Sequence, residues 1–117
     1  MKILVADDDR LLRRIMVDGL GAEGATCSEA ATGAEAIQSV LRDRPDICLL
    51  DHNFPDMDGL SVLRTLATRP EAAATRVFLL TGSEDAALRE QAVALGARGL
   101  LRKPVTPSQV FARLREP

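Results

Sequence analysis

The sequence predicts an α/β domain in which five parallel strands form one sheet with helices on both faces, a doubly wound arrangement. Five short apolar runs alternate with segments of helical periodicity, which is the order of repeated βα units. The runs are apolar throughout rather than alternating with polar residues, as expected for strands buried on both faces. The chain has 117 residues and no linker, repeat or low-complexity segment. We therefore expect a single domain over residues 1–117.

The first two βα units come before Pro45. Residues 2–6 form a short β-branched run that stops at three consecutive aspartates. The helix that follows has an apolar stripe made of Leu11, Leu12, Ile15, Met16 and Leu20. Glycines at positions 21 and 24 end this helix, and residues 25–29 form a weaker second strand. Gly33 opens the second helix, whose apolar positions are Ile37, Val40 and Leu41.

The last three βα units follow the same order. Their strands are Ile47–Leu50, Arg76–Leu80 and the pair Leu100-Leu101. Their helices carry apolar stripes at Leu60, Leu63 and Ala67, then at Leu88, Ala92 and Leu95, and finally at Val110, Phe111 and Leu114. Pro70 and Gly96 end the first two of these helices. Thr106-Pro107 begins the third, because proline is favourable in a first helical turn.

Composition and charge exclude several classes of protein. The formal net charge is −2 and the pI is about 5.4, so the chain as a whole does not attract nucleic acid or an anionic membrane. The apolar stretches are shorter than the roughly 20 residues that cross a membrane. Cys27 and Cys48 lie in apolar segments without metal-ligand spacing, which favours buried, reduced thiols over a disulfide. We therefore expect a cytoplasmic protein with no membrane segment and no direct nucleic-acid contact.

Polar side chains stand at the carboxyl ends of four predicted strands. Asp7 and Asp8 follow the first strand, Asp51 the third, Thr81 the fourth and Lys103 the fifth. These four strands are neighbours in a doubly wound sheet of order 2-1-3-4-5, and ligands bind at their carboxyl ends. Carboxylates that converge raise one another's pKa unless a cation holds them. Mg²⁺ fits this need, because it accepts carboxylates, waters and a substrate phosphate.

Most of the polar residues in and near these strand ends also have an ordinary structural interpretation. The aspartates at 7–9 could cap a helix, Asp58 could cap the third helix, and Asp56 could lie in a solvated turn. Thr81 alone fits a strand-end hydroxyl, and Lys103 alone fits a surface lysine. However, only two of the 15 basic residues are lysines, and all four positions fall on one sheet edge. The combination favours a functional crevice.

Two other ligand classes on related folds fit less well. A flavodoxin-type protein holds its flavin phosphate in a hydroxyl- and glycine-rich loop after the first strand, where this chain has three negative charges. A haloacid-dehalogenase-like phosphatase has a second aspartate two residues after its nucleophile, where this chain has Asn53.

Four segments, in order and spacing, resemble the response regulator receiver domain: "ILVADDD", "LLDHNFPDMDGL", "FLLTG" and "GARGLLRKPV". The resemblance covers almost the whole chain. It implies a (βα)5 flavodoxin-like fold with strand order 2-1-3-4-5. It also implies a role in two-component, or phosphorelay, signal transduction, as a switch that takes part in its own phosphorylation and dephosphorylation rather than an enzyme.

The resemblance implies a role for each residue of the crevice. Asp51 would be the phosphoacceptor, which receives a phosphoryl group from the phosphohistidine of a histidine kinase or histidine phosphotransfer protein. The ligands of Mg²⁺ would be Asp8, Asp51, the backbone carbonyl of Asn53 and, through water, Asp7. The groups that bind the phosphoryl oxygens would be Thr81, the backbone at Gly82 and Lys103. The Lys103–Pro104 peptide bond is expected to be cis.

Two features depart from the family pattern. An aromatic residue that acts as a rotamer switch usually stands three positions before the conserved lysine, and here that position is Leu100. The last helix is short, and the sequence does not identify the downstream effector or output domain.

The alternative function is a pseudo-receiver that binds proteins without being phosphorylated, but the complete set of acids, hydroxyl and lysine favours phosphorylation. His52 is expected to be an exposed loop residue beside the crevice rather than a catalytic base.

Overall fold

The computed structural model describes residues 1–83 and 85–116 of the chain. Pro117, the last residue of the predicted domain, lies outside the described residues. The strands are β1 Lys2–Ala6, β2 Thr26–Ala30, β3 Ile47–Asp51, β4 Arg76–Thr81 and β5 Gly99–Arg102. The helices are α1 Arg10–Ala22, α2 Gly33–Asp43, α3 Gly59–Ala67, α4 Ala86–Ala94 and α5 Pro107–Leu114. A single 3-10 turn at Pro70–Ala72 follows α3, where the sequence predicted only the end of a helix.

The five strands form one parallel sheet in the order β2-β1-β3-β4-β5, which confirms the predicted fold. β1 lies between β2 and β3, with Ile3 opposite both Cys27 and Ile47. The chain leaves β1 toward β2 on one side and returns to β3 on the other. This reversal of strand order opens a crevice at the carboxyl ends of β1 and β3.

Each face of the sheet has its own hydrophobic core, because successive strand residues point to opposite faces. One core joins the sheet to α1 and α5 through Ile3, Val5, Met16, Leu20, Ile47, Leu49, Phe78, Leu80, Leu101 and Val110. The other joins it to α2, α3 and α4, with Leu4, Val40, Cys48, Leu50, Val62, Leu63, Leu79, Leu88 and Ala92 among its members. Cys27 and Cys48 are both free, as predicted, but only Cys48 is fully buried, and Cys27 on the edge strand β2 is partly exposed.

The apolar stripe of α1 differs from its prediction. Met16 and Leu20 are buried against the sheet, but Leu11, Leu12 and Ile15 remain 68%, 48% and 53% exposed. Leu12 and Ile15 border a cavity of about 270 Å³ that they share with Val5 of β1 and Leu80 of β4, so they do not pack closely on the sheet. The second strand also runs one residue later than predicted. In the described part of the chain, no helix is both long enough and apolar enough to span a membrane.

Candidate functional site

Three carboxylates converge at the carboxyl ends of β1 and β3, as the sequence predicted. One ligand oxygen each of Asp7, Asp8 and Asp51 lies within 4.8 Å of the others. Asp7 and Asp51 are buried, with 5% and 4% of their surface exposed, whereas Asp8 is exposed to solvent. Such a set of hard oxygen donors, open to solvent on one side, fits a small divalent cation such as Mg²⁺.

Lys103 lies inside this cluster and is not an ordinary surface lysine. Its Nζ is 2.9 Å from Oδ1 of Asp51 and 4.0 Å from Oδ2 of Asp7. The backbone N–H of Lys103 donates to the carbonyl of Thr81 at 2.8 Å. This bond fixes the start of the loop that follows β5 against the end of β4. The Lys103–Pro104 peptide bond is cis, as expected.

The pKa values of the cluster reflect a conflict between burial and charge pairing. Burial raises the pKa of Asp7 above its ordinary value, and the charge of Asp51 adds to the rise, against the opposing effects of the Asp9 backbone N–H and the Lys103 ammonium. Burial alone would lower the pKa of Lys103, but its hydrogen bond to Asp51 and the charges of all three carboxylates outweigh burial and raise it. The ammonium therefore stays charged and offsets only part of the negative charge.

The predicted phosphoryl-binding groups stand at the same edge of the sheet. Thr81, the last residue of β4, is 5% exposed, and its Oγ1 accepts a hydrogen bond from the Ser83 N–H at 3.1 Å. Gly82 has open space around its Cα, since a Cβ there would meet no atom within 4 Å. A cavity of about 400 Å³ adjoins this edge and is lined by Thr81, Ser83, Asp85, Arg89, Leu100 and Arg102. Leu100 thus borders the space next to Thr81, where the family pattern has an aromatic residue.

The loop after Asp51 is closed tightly on itself. The Gly59 N–H donates to the His52 carbonyl at 2.6 Å, and Asn53 forms an antiparallel bridge with Asp58. A Cβ on Gly59 would lie 2.9 Å from the Asp51 carbonyl oxygen, so only glycine fits there without movement. These contacts close the loop that follows Asp51, and Asn53 within this loop is exposed to solvent.

Asp56 has a structural role that the sequence interpretation missed. Its two carboxylate oxygens accept hydrogen bonds from the backbone N–H groups of Gly33 and Ala34, at 2.9 and 3.0 Å. These two bonds also hold the pKa of Asp56 below its usual value. Asp56 lies in an exposed bend, so the predicted solvated turn is confirmed, and its carboxylate also ties this loop to the N-terminus of α2. Asp58 caps α3 through the Ser61 N–H, at 2.8 Å, as predicted.

His52 is more buried than the sequence suggested. The residue is half-buried, and its Nδ1 is buried with no hydrogen-bond partner within the described ranges. Asp9 has the capping role considered for the first acidic run, since its Oδ1 accepts from the Leu12 N–H at 3.1 Å. Capping therefore accounts for the third aspartate of that run, while the first two belong to the acidic cluster.

Comparison with known proteins identifies the family of this chain. The family model of the response regulator receiver domain matches residues 3–115. The chain is similar to the response regulator MprA of Mycobacterium leprae (strain TN), with 36% identity over 115 residues that cover 98% of this chain and 50% of that protein. It is also similar to the response regulator PleD of Caulobacter vibrioides, with 38% identity over 114 residues that cover 97% of this chain and 25% of PleD.

Solved structures give the same result. The chemotaxis response regulator CheY4 of Vibrio cholerae superimposes with a TM-score of 0.89 and 27% identity, covering 97% of this chain and 95% of that one. A CheY-like receiver domain protein from Methanospirillum hungatei JF-1 gives 0.87 and 25%, covering 97% and 90%. This chain therefore belongs to the response regulator receiver domain family of two-component systems. It spans half or less of the length of the curated relatives named above.

Proposed function

We propose that this receiver domain, residues 1–117, accepts a phosphoryl group on Asp51 in a reaction that depends on Mg²⁺ and thereby switches a downstream output. The observation that carries the proposal is the contact of 2.9 Å between Lys103 and the buried Asp51 within a cluster of three carboxylates. Mg²⁺ would be held by Asp8, Asp51 and the backbone carbonyl of Asn53, with Asp7 acting through water. A bound Mg²⁺ would neutralise the carboxylates and the phosphoryl oxygens.

The transfer requires little covalent help from the protein. A carboxylate oxygen of Asp51 attacks the phosphorus atom, the P–N bond of the phosphohistidine breaks, and the imidazole leaves with the bonding electron pair. The transition state is loose, with charge spread over three oxygens, so positioned cations and hydrogen-bond donors do most of the work. Lys103 would exchange its contact with Asp51 for a phosphoryl oxygen, and Thr81 and the Gly82 N–H would donate to the others.

The surface beside the crevice supports a protein phosphodonor. The exposed side chains of Leu12 and Ile15 border a cavity of about 270 Å³ that also touches Asp7, Lys103 and Val105. An apolar patch continuous with the reactive groups fits the apolar face of a helix that carries the phosphohistidine. The partner would be a histidine kinase or a histidine phosphotransfer protein.

Within the described residues, no contact of the crevice favours the pseudo-receiver alternative. The grouping of the three carboxylates with Lys103 supports phosphorylation instead. A cytoplasmic location stays a prediction from the sequence. The effector also stays open, because the curated relatives extend well beyond the region that this chain matches.

Intact-mass measurement after incubation with acetyl phosphate and Mg²⁺ tests the proposal. We expect a mass increase of one phosphoryl group in the parent protein, and none in Asp51→Asn or in the parent with EDTA. Asp18→Asn is the matched control, since Asp18 is an exposed acid on α1 whose partner is Arg14. Normal labelling of Asp51→Asn would show that the acceptor is another residue, and labelling that is unaffected by EDTA would remove the metal from the reaction.

A further inference from the structure

We infer that Arg13 is a positioning residue for the divalent-cation site, because it fixes the peptide unit that joins Asp7 to Asp8. This inference rests on the proposed function. The guanidinium Nη1 of Arg13 donates to the backbone carbonyl of Asp7 at 2.7 Å. The side chain is only 13% exposed, so the bond is largely shielded from water.

The carbonyl that Arg13 holds determines where both acids stand. A peptide unit is planar, so the direction of the Asp7 carbonyl also sets the direction of the Asp8 N–H and the positions of the two flanking Cα atoms. The Asp7 N–H donates to the Ala30 carbonyl at 3.0 Å, and one carboxylate oxygen of Asp7 accepts from the Asp9 N–H at 2.9 Å. Among the contacts that the structure describes, the bond from Arg13 is the only one made to the peptide group between Asp7 and Asp8, so it fixes the plane of that group.

Arg13 is itself held in place from the other side. Its Nε donates to Oε1 of Glu29 at 2.9 Å, and Glu29 lies near the carboxyl end of β2. Burial raises the pKa of Glu29, but the hydrogen bonds and charges of Arg13 and Arg14 outweigh burial and lower it, so the carboxylate is ionised at neutral pH. The planar guanidinium thus links β2 to the acidic loop through donors in a fixed geometry.

Arg14 provides an unusually close control. Its Nη1 donates to the other oxygen of Glu29 at 2.7 Å, so both arginines form ion pairs with the same carboxylate. The described contacts of Arg14 include Asp18 at 3.3 Å but not the Asp7 carbonyl. Removing Arg14 therefore tests the link between α1 and β2, whereas removing Arg13 tests that link and the peptide between the two acids together.

The experiment compares Mg²⁺ affinity by isothermal titration calorimetry at neutral pH, well below the melting temperature of every variant. Partners of the ligands of a metal typically change its affinity by 10- to 100-fold. We expect Arg13→Ala to weaken Mg²⁺ binding by roughly 10-fold and Arg14→Ala by less than about twofold. Arg13→Lys keeps the charge but cannot bridge both partners, so it is expected to weaken binding as well and serves if Arg13→Ala does not fold.

Each outcome bears on the inference. If folded Arg13→Ala or Arg13→Lys binds Mg²⁺ as tightly as the parent, Arg13 is only a link between α1 and β2, and the proposed function stands. If Arg14→Ala weakens binding as much as Arg13→Ala, the contact with the Asp7 carbonyl has no special role and the inference is wrong. If the parent does not bind Mg²⁺, the inference and the proposed metal site fail together.

Discussion

Replacing Asp8 with Asn is expected to stabilise the protein when no divalent cation is present. The ligand oxygen of Asp8 lies within 4.8 Å of those of Asp7 and Asp51. Two like charges at such a distance repel by about 1 kcal/mol in water and by about 3.5 kcal/mol at an effective dielectric constant of about 20. Asp8 is repelled by both Asp7 and Asp51, but the ammonium of Lys103 offsets one of these repulsions. Because Asp8 is exposed, the remaining repulsion takes the value for two charges in water. The expected gain is about 1 kcal/mol, or roughly 4 °C in melting temperature.

Urea unfolding in EDTA at neutral pH and low salt measures this gain. In saturating Mg²⁺ the order of stabilities should reverse. A cation that binds only the native protein stabilises it according to its affinity, and Asp8→Asn is expected to weaken that affinity. Asp18→Asn is again the matched control for the loss of one exposed negative charge. At about 1 M NaCl the gain should shrink, because the screening length falls to about 3 Å.

Three results would contradict this reasoning. If Asp8→Asn is no more stable than the parent in EDTA, the crevice does not store the repulsion. If Asp18→Asn gains as much, the effect comes from net charge and not from the cluster. If Mg²⁺ raises the melting temperature of Asp8→Asn as much as that of the parent, Asp8 is not a ligand.

The remaining predictions concern backbone fit, signal output and pH. Gly59→Ala should destabilise the fold by about 2 kcal/mol, because the added methyl group would be too close to the Asp51 carbonyl. Gly21 has open space around it, so Gly21→Ala should not destabilise the fold. Urea unfolding measures both variants, and equal effects would contradict the close-packing argument. Leu100 has no hydroxyl group, so the free-energy difference between its two side-chain positions should come from packing alone and be about 1 kcal/mol. The changes in backbone NMR shifts on adding beryllofluoride and Mg²⁺ should therefore be smaller in α4 and β5 than at Asp51. Equally large changes would refute this prediction. Because the pKa of Asp7 is raised in the folded protein, its ionised carboxylate lowers the stability at neutral pH. The free energy of unfolding should therefore increase as the pH falls through that pKa toward the ordinary value of 3.8. In metal-free unfolding curves Asp7→Asn should lack this part of the increase, and a pH profile identical to that of the parent would contradict the prediction.

The fold was predictable because its strands are continuous apolar runs that only a sheet covered on both faces can bury. Two strands were predicted less accurately than the others: β5 extends one residue beyond its prediction at each end, and β2 is shifted by one residue. β2 lies at an edge and consists of Thr, Cys, Ser, Glu and Ala. Its composition is close to that of a loop, so its bounds depend on pairing with β1. The convergence of the acids with Lys103 was predictable for a different reason, since topology alone places the carboxyl ends of neighbouring strands together.

Contacts between distant segments were not predictable. The bonds from Gly33 and Ala34 to Asp56 join residues 23 and 22 positions apart, and no periodicity or capping pattern encodes such a pairing. The bond from Arg13 to a backbone carbonyl leaves no trace in residue type. In α1, periodicity marked Leu12 as apolar but could not show whether it faces the sheet or a partner, because both surfaces require the same kind of side chain.

The charges of the crevice explain why phosphorylation would depend on a cation. Three carboxylates and one ammonium leave two negative formal charges, which one divalent ion neutralises. A phosphoryl group brings a charge of about −1.5 to −2 in place of the single charge of Asp51. The phosphorylated crevice without metal would therefore be more negative than the free one, with two of its carboxylate positions buried. Lys103 cannot compensate alone, since it already neutralises one charge before transfer. A bound divalent ion would thus make both the free and the phosphorylated crevice tolerable, and it would enter and leave on the exposed side of the cluster, at Asp8.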